Sequence, residues 1–501
     1  MEKTAEQLFL REFTIIDDLL EYCSQSSDFC EYPLNSNSSI YISYFKTLID
    51  ENKVHEYLTS TIQENRNKIK QLEDILNYIP VEGTSISSNL NEIKDRLLHG
   101  SILIRFKYSN QIGIIVDLLS EVQGNRTQND AENEYSVIGP KLGFVENIDT
   151  NLNLLRRSLY IPNLKFEEFI VGTTSKSRVI IAYIDGITNP EHVYTARQRI
   201  KDADFDLICD SAILDQLITD NSNTPFPLFM STERVDRAVY CLLNGQIAIL
   251  SSGSPYVIAA PTTIFDFFVS PEDYLLPWVL GSFFRIIRFF GVAFSITATP
   301  LYVAILTYHL AIIPKDMLGP IINSRANVPF PPFLEAIILE FIIELLREAG
   351  ARLPTKVGQT LGIVGGIVIG QAAVQAALTS NILLIIVALS ALSSFTTPTF
   401  KMSNTIRFLR FPLILCASLW GGFGITAGLL VLYVHTLRLK SLGIPYLAPV
   451  FPFRYKEFSD GFIRSSLPYL NRRRSFFRPI ALSRFKKNVD KNDIGDHFNN
   501  E

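Results

Sequence analysis

The sequence has few cysteines and histidines, and neither residue type is clustered. Its five cysteines are scattered and include no Cys-x-x-Cys pair, which argues against a disulfide framework or a zinc site. The six histidines are isolated from one another. No HExxH, GxSxG or GxxxxGK[ST] motif occurs, and no GxGxxG motif follows a predicted strand. We therefore predict no enzymatic activity, no catalytic residues, no metal site and no cofactor.

A secretory signal is also missing. The first residues lead into charged helical sequence without a basic segment, an apolar segment or a small-residue cleavage site. We therefore expect the large N-terminal half to stay in the cytoplasm.

Charge is absent from the stretch between Val357 and Phe400, which contains no Asp, Glu, Lys, Arg or His. The stretch is about twice the length needed to cross a hydrocarbon core once, so two spans are expected in it. Across the chain, the uncharged segments long enough to cross are residues 289–308, 357–378, 381–398 and 411–433. With 47% hydrophobic residues, the chain is predicted to contain an α-helical multi-pass membrane domain.

Four glycines at four-residue intervals mark the first half of this uncharged stretch: Gly358, Gly362, Gly366 and Gly370. On a helix they form one stripe without side chains. Small residues at this spacing allow close packing between membrane helices. We therefore predict that the stripe is a helix-packing seam used in assembly.

An acidic stripe lies on the helix predicted at residues 333–350. Glu340, Glu344 and Glu348 are four residues apart and therefore lie on one side of this helix, with Arg347 beside them. Carboxylates in lipid are costly and are usually functional or paired. Two interpretations stay open with equal weight: the stripe lines a cation path, or it forms buried ion pairs with Arg347 and Arg352.

Two topologies also follow from these segments. Four full spans place both ends in the cytoplasm, with the acidic helix re-entrant or interfacial. Five would put the basic C-terminal tail outside, although basic segments beside a span are normally cytoplasmic and attracted to anionic lipid. We prefer four spans, even though Lys401, Arg407 and Arg410 then lie on the unfavourable side. Nucleic-acid binding by the tail lacks an accompanying module.

The domain organisation predicted from these features is a soluble α/β region followed by the membrane domain. Two small α/β subdomains are expected, with helices at residues 40–50 and 54–78 and strands at 100–108, 112–117 and 177–186. The segments are an N-terminal lead-in (1–34), subdomain 1 (35–130), subdomain 2 (131–280), the membrane domain (281–440) and a basic cytoplasmic tail (441–501).

Several ordered motifs resemble one known family. They include Thr232-Glu-Arg-Val-Asp-Arg, Gly253-Ser-Pro-Tyr, Val328-Pro-Phe-Pro-Pro, Leu345-Leu-Arg-Glu-Ala-Gly and Val357-Gly-Gln-Thr-Leu-Gly-Ile-Val-Gly-Gly. Together they look like the A subunit of spore germination receptors, the GerA family. The resemblance covers roughly residues 40–453.

The resemblance implies a subunit of a nutrient receptor in the inner membrane of bacterial endospores. Its implied partners are a permease-like B subunit, a lipoprotein C subunit and further copies of A, together with membrane lipid. The implied activity is an oligomeric ligand-gated cation channel that turns nutrient binding into ion release and germination. The alternatives are a transporter of a small solute and a structural membrane anchor for partner subunits.

Overall fold

The structure of the chain is a computed structural model. It describes residues 13–34, 39–65, 68–69, 71–81, 83–107, 112–118, 134, 138–352, 366, 368–454, 457, 459–466 and 470–484. Two antiparallel sheets with helices come first, and a group of long apolar helices follows. The α/β region ahead of a helical region confirms the fold class that the sequence predicted.

The first sheet has five antiparallel strands in the order β1-β2-β4-β5-β3. The strands are β1 (Phe29–Pro33), β2 (Ile40–Phe45), β3 (Ser85–Ser87), β4 (Ser101–Phe106) and β5 (Gly113–Asp117). Helices α1 (Ile16–Ser24) and α2 (Leu90–Leu98) accompany the sheet, and short helices cover Glu51–Lys53, Val54–Thr59, Ser60–Glu64 and Leu72–Leu76. Because α1 and β1 belong to this unit, residues placed in the lead-in form part of subdomain 1.

The helix predicted at residues 40–50 is wrong, because residues 40–45 form strand β2. This strand pairs with β1 on one side and β4 on the other. Five of its six residues are buried, so its polar-apolar alternation is weak. A short apolar run of this kind cannot be distinguished from a buried helix by periodicity. The helix predicted at 54–78 is present only in pieces.

The second sheet is also antiparallel, in the order β6-β7-β9-β10-β8. Its strands are β6 (Leu164–Val171), β7 (Ser177–Ile184), β8 (Met230–Thr232), β9 (Ile247–Ser251) and β10 (Val257–Ala260). Its helices are α3 (Ile148–Ser158), α4 (Pro190–Asp202), α5 (Ser211–Ile218) and α6 (Val235–Leu243). The predicted strands 100–108, 112–117 and 177–186 are confirmed as β4, β5 and β7.

A buried ion pair joins the two sheets. Arg156 on α3 is fully buried, and its Nη2 donates to Asp28 Oδ1 at 2.8 Å. Its guanidinium also stacks over Phe45 of the first sheet and Phe166 of the second. Because the partners come from both units, subdomains 1 and 2 pack as one body.

The helical region contains α7 (Trp278–Tyr308), α8 (Lys315–Arg325), α9 (Pro332–Arg352), α10 (Asn381–Ser394) and α11 (Phe400–Arg438). Within the described residues, α7 and α11 are long and apolar enough to cross a membrane. Helix α10 has 14 residues and spans about 21 Å, which is short of the roughly 30 Å hydrocarbon core. The predicted span at 357–378 lies largely outside the described residues.

Helix α11 is a helical hairpin, so the predicted single span at 411–433 is wrong. Gly421 has φ 60° and ψ −137°, which breaks the helix there. Beyond the break the chain returns beside itself: a Cβ on Gly428 would lie 2.6 Å from Leu413 Cδ2, and one on Gly424 would collide with the Cys416 carbonyl. The legs, residues 400–420 and 422–438, are therefore antiparallel.

Contacts along α7 set the direction of its neighbours. Tyr302 near its C-terminal end hydrogen-bonds Ser380 just before α10, whereas Ser295 accepts from Ser390 further along that helix. Helix α10 is therefore antiparallel to α7. The Tyr308 hydroxyl at the end of α7 reaches carbonyls at the tip of the hairpin. Both legs of the hairpin thus start or end on the side of the soluble sheets.

Candidate functional site

Glu340 forms a buried ion pair at the centre of the helical region. Its Oε2 accepts from Arg410 Nη1 at 2.6 Å, and its Oε1 accepts from Thr299 at 2.8 Å. The side chains of Glu340 and Arg410 are 4% and 3% exposed. Arg410 also donates from Nε and Nη2 to the Ser295 carbonyl and hydroxyl, at 2.9 and 2.8 Å. The structure therefore gives Glu340 a different arginine from those the sequence suggested.

The other two stripe carboxylates are more exposed and pair within α9. Glu344 contacts Arg347, and the side chain of Glu344 is 36% exposed. Glu348 contacts Arg352 at 2.6 Å in an exposed pair, with 57% of the glutamate side chain accessible. The stripe is thus divided: one residue is locked between helices, and two lie at an accessible face.

A fourth carboxylate, Glu335, was not predicted from the sequence as a site residue. It is fully buried at the start of α9, and its Oε1 accepts from the Ser380 backbone N–H at 2.6 Å. Arg325 Nε lies 3.2 Å from its Oε2. Glu335 therefore ties α9 to α8 and to the N-terminus of α10, at the end of the helical region away from the sheets.

Two members of the glycine stripe, Gly358 and Gly362, lie outside the described residues. Gly366 is exposed, and a Cβ built on it meets no atom within 4 Å. A Cβ on Gly370 would lie 3.6 Å from Leu384 Cδ2, an ordinary contact with α10. Packing inside the subunit therefore involves Gly370, while Gly366 faces open space.

Buried charges lie where subdomain 2 joins the helical region, since Asp273 is in the short helix Glu272–Leu275 just ahead of α7. Asp273, at 2% side-chain exposure, accepts from Arg285 Nε at 3.3 Å and from Arg288 at 3.0 and 3.1 Å, both on α7. Arg285 in turn donates to the Asp460 carbonyl at 2.6 Å. The beginning of α7 is thereby held between the segment that precedes it and the C-terminal segment.

The described C-terminal segment folds back onto subdomain 2. Arg474 bridges Asp266 and Asp460, and Arg473 Nε donates to the Leu243 carbonyl at 2.7 Å. Burial lowers the pKa of Arg473 to about 10. Strands β11 (Lys440–Ser441) and β12 (Ile444–Pro445) lead into this segment. Basic residues that the sequence assigned to lipid attraction therefore have partners in the protein.

Lys401 lies on the side of the soluble sheets. Its amine contacts Asp215 of α5 at 2.5 Å and the Ser231 hydroxyl at 2.8 Å. Burial raises the pKa of Asp215, although Lys401 opposes the shift. The reversal at Gly421 brings both ends of the hairpin, and Lys401 with them, to the side of the soluble sheets.

Arg410, Asp273 and Glu335 were not predicted from the sequence as site residues. A signal was present for Arg410, because a charge beside a long apolar segment requires a partner. Its partner could not be identified, since Glu340 is 70 residues away. Among the described residues, no group of three or more His, Cys, Asp or Glu side chains is arranged to hold a metal ion.

These features define a membrane-associated protein in which a two-sheet α/β region is joined by buried charges to a helical region. The model of the Bacillus/Clostridium GerA spore germination protein family matches residues 17–476. The chain therefore belongs to the GerA spore germination protein family.

Similar proteins extend over nearly the whole chain. Spore germination protein GerQA of Bacillus cereus is 47% identical over 481 residues, covering 96% of both chains. Spore germination protein GerIA of Bacillus cereus is 45% identical over 476 residues, covering 95% of this chain and 71% of that protein. The crystal structure of the N-terminal domain of the A subunit of the Bacillus megaterium spore germinant receptor GerK3 aligns with a TM-score of 0.36 and 27% identity, covering 49% of this chain and 92% of that one.

Proposed function

We propose that the chain is the A subunit of a nutrient receptor of bacterial endospores and acts as part of an oligomeric, ligand-gated cation channel. Family membership across residues 17–476 carries the proposal for spore germination. Its partners are a permease-like B subunit, a lipoprotein C subunit and other A subunits. The complex resides in the spore inner membrane with the α/β region in the cytoplasm, and no enzymatic step is involved.

The accessible carboxylates of α9 support the channel part of this proposal. Glu340 is neutralised by Arg410 and serves packing, whereas Glu344 and Glu348 remain at the accessible face. Glu348 is the better cation ligand, because its exposed pair with Arg352 is worth only about 0.3 to 0.5 kcal/mol. In a ring of subunits, one Glu348 from each chain would face the same path.

The buried junction supports coupling between the soluble region and this path. Asp273 holds two arginines of α7, and α7 contacts Glu340 through Thr299. These contacts give a displacement of subdomain 2 a route to α9 through packed side chains. Both ends of the described helical hairpin lie on the side of the sheets, which favours an even number of membrane passages with both termini cytoplasmic.

Glu348→Gln is expected to reduce cation flux by about tenfold while leaving stability unchanged, since an exposed carboxylate in a path attracts cations and contributes little to folding. The measurement is nutrient-triggered rubidium flux through liposomes containing the purified receptor complex. Glu191→Gln, which alters an exposed carboxylate in the soluble region, is the matched control.

Normal flux in both Glu344→Gln and Glu348→Gln would contradict a cation path along α9. Flux driven by a solute gradient would identify a transporter. If the wild-type complex carries no ion flux either with or without nutrient, the structural anchor would be the remaining function.

Gly366→Leu is expected to weaken assembly without unfolding the subunit. The leucine enters open space in the single chain, but at an interface between copies overfilling costs about 1 to 3 kcal/mol per contact, repeated around a closed ring. Oligomer size after crosslinking in membranes measures the effect. Gly319→Leu, at another glycine with open surroundings, serves as control. Oligomers of normal size in the Gly366 variant would show that this part of the stripe is not a seam.

A further inference from the structure

A large cleft lies between α9, α10, the first turns of α11 and the residues Gly366, Ile369 and Gly370. Its volume is about 980 Å³, within the range of small-molecule sites. Most of its wall is apolar, formed by side chains such as Leu339, Ile343, Leu384, Ala388 and Leu392.

One end of the cleft carries two arginines whose charges are not balanced. Arg347 Nη1 and Arg407 Nη2 both donate to the side-chain oxygen of Asn404, the first at 3.5 Å, so the two guanidinium groups are neighbours. Glu344 is the carboxylate that pairs with Arg347. Glu348, which also lines the cleft, pairs with Arg352, so Arg407 is the arginine at this end without a carboxylate partner among the described residues, and one further anion would balance it.

Hydrogen-bonding groups at the same end lack partners. Among the described residues, the buried groups without a hydrogen bond include Arg407 Nε and Nη1, Arg347 Nε and the Thr397 hydroxyl. All three residues line the cleft. Buried N–H groups without partners cost about 1 to 3 kcal/mol each, and more when charged. Phosphate oxygens accept well from arginine, so a phosphate in the cleft would give these groups partners once the side chains turn toward it.

The charged end lies where the helical region meets the soluble sheets. Met402 and Ile406, beside Arg407, are part of the hydrophobic core of subdomain 2. From Thr397 the apolar wall continues along α10 to Leu384, about 20 Å at 1.5 Å per residue. This distance exceeds one leaflet, which is about 15 Å of a 30 Å hydrocarbon core.

We propose that this cleft binds one anionic phospholipid. The phosphate contacts Arg347, Arg407 and Thr397, and an acyl chain lies against α9 and α10. An anion without a chain would leave the apolar wall uncovered, and a neutral lipid would leave the arginines unbalanced. Basic pockets between membrane helices on the cytoplasmic side recognise lipid headgroups in this way. The inference does not depend on the channel function.

The test measures lipid retained by the purified full-length protein in native mass spectrometry. Dioleoylphosphatidylglycerol is expected to remain bound at one copy per chain, and dioleoylphosphatidylcholine, with the same acyl chains, is not. The double variant Arg347→Gln/Arg407→Gln is expected to lower phosphatidylglycerol affinity by about tenfold or more, since it removes charge-assisted hydrogen bonds. The control is Lys315→Gln/Arg438→Gln, which removes two exposed cations of the helical region that do not line the cleft.

Equal retention of the two lipids, or unchanged phosphatidylglycerol binding in the double variant, would overturn the proposal. Displacement of the lipid by excess inorganic phosphate would also overturn it, because the site would then recognise the anion alone. If the Arg347→Gln/Arg407→Gln variant fails to fold, a second measurement on the wild-type protein still tests the proposal. Photoreactive phosphatidylglycerol should crosslink the wild-type protein to α9, α10 or the start of α11, and crosslinks confined to other segments would refute the site.

Discussion

Replacing Arg410 with methionine is expected to destabilise the helical region by about 3 to 5 kcal/mol, the usual cost of removing one member of a buried ion pair. Glu340 would keep its bond from Thr299 but lose its only cation among the described residues. The Ser295 and Ser390 carbonyl oxygens would lose their arginine donors as well. The measurement is the unfolding midpoint of the purified protein in lipid-detergent mixtures.

Arg438→Met provides the control, since this arginine is exposed on the same helix. The double variant Glu340→Leu/Arg410→Met should recover much of the lost stability, because apolar residues of similar size replace a buried pair at little cost. Equal midpoints for Arg410→Met and Arg438→Met would refute the packing function of the pair. If the Arg410→Met protein is stable but its ion flux is altered, the result would support a position of Glu340 in the cation path.

Alanine at Gly421 is expected to open the helical hairpin at a cost of at least about 2 kcal/mol. The backbone there has positive φ, which an L-residue adopts only with strain of about 1 to 3 kcal/mol. A Cβ would also lie 2.9 Å from Tyr308 Cδ2 and 3.0 Å from His309 Nε2. Overfilling adds a similar cost. Both contacts are to the end of α7, so strain at the hairpin tip also disturbs this helix.

Gly422→Ala is the matched control, since its Cβ would meet His309 Nε2 at 3.4 Å and its φ is not positive. Disulfide crosslinking of Leu413→Cys with Gly428→Cys reports whether the legs stay adjacent, with Cys416 replaced by serine to avoid competing thiols. Crosslinking should fall in the Gly421 variant and persist in the Gly422 variant. Equal crosslinking in both would show that the reversal does not require glycine at 421.

Part of the fold was accessible from local pattern alone. Strand β7 is a β-branched run bounded by turn residues. It was predicted because the signal lies within a few residues. Strand β2 was wrongly predicted as a helix. Its strand conformation depends on pairing with β1 on one side and β4 on the other, and the local hydrophobic periodicity does not show this pairing.

The hairpin was missed for a different reason. Residues 411–433 contain no charge, and hydropathy measures only whether a segment can enter lipid. Whether it crosses once or turns back depends on Gly421 and on its contacts with Tyr308 and His309. The adjacent Gly421-Gly422 pair was a usable signal, since neighbouring glycines allow a sharp reversal.

The sequence by itself determined where the chain is soluble and where it is apolar, and its ordered motifs indicated the GerA family. These properties depend on the composition and order of neighbouring residues, so they can be recognised without a structure. Only the tertiary structure decided which charged residues form ion pairs with each other. Arg410 forms an ion pair with Glu340, Arg285 with Asp273, and Arg474 with Asp266. A buried charged group needs an oppositely charged partner, or it must lose its charge. The partner can lie anywhere in the sequence, so only the folded structure identifies it.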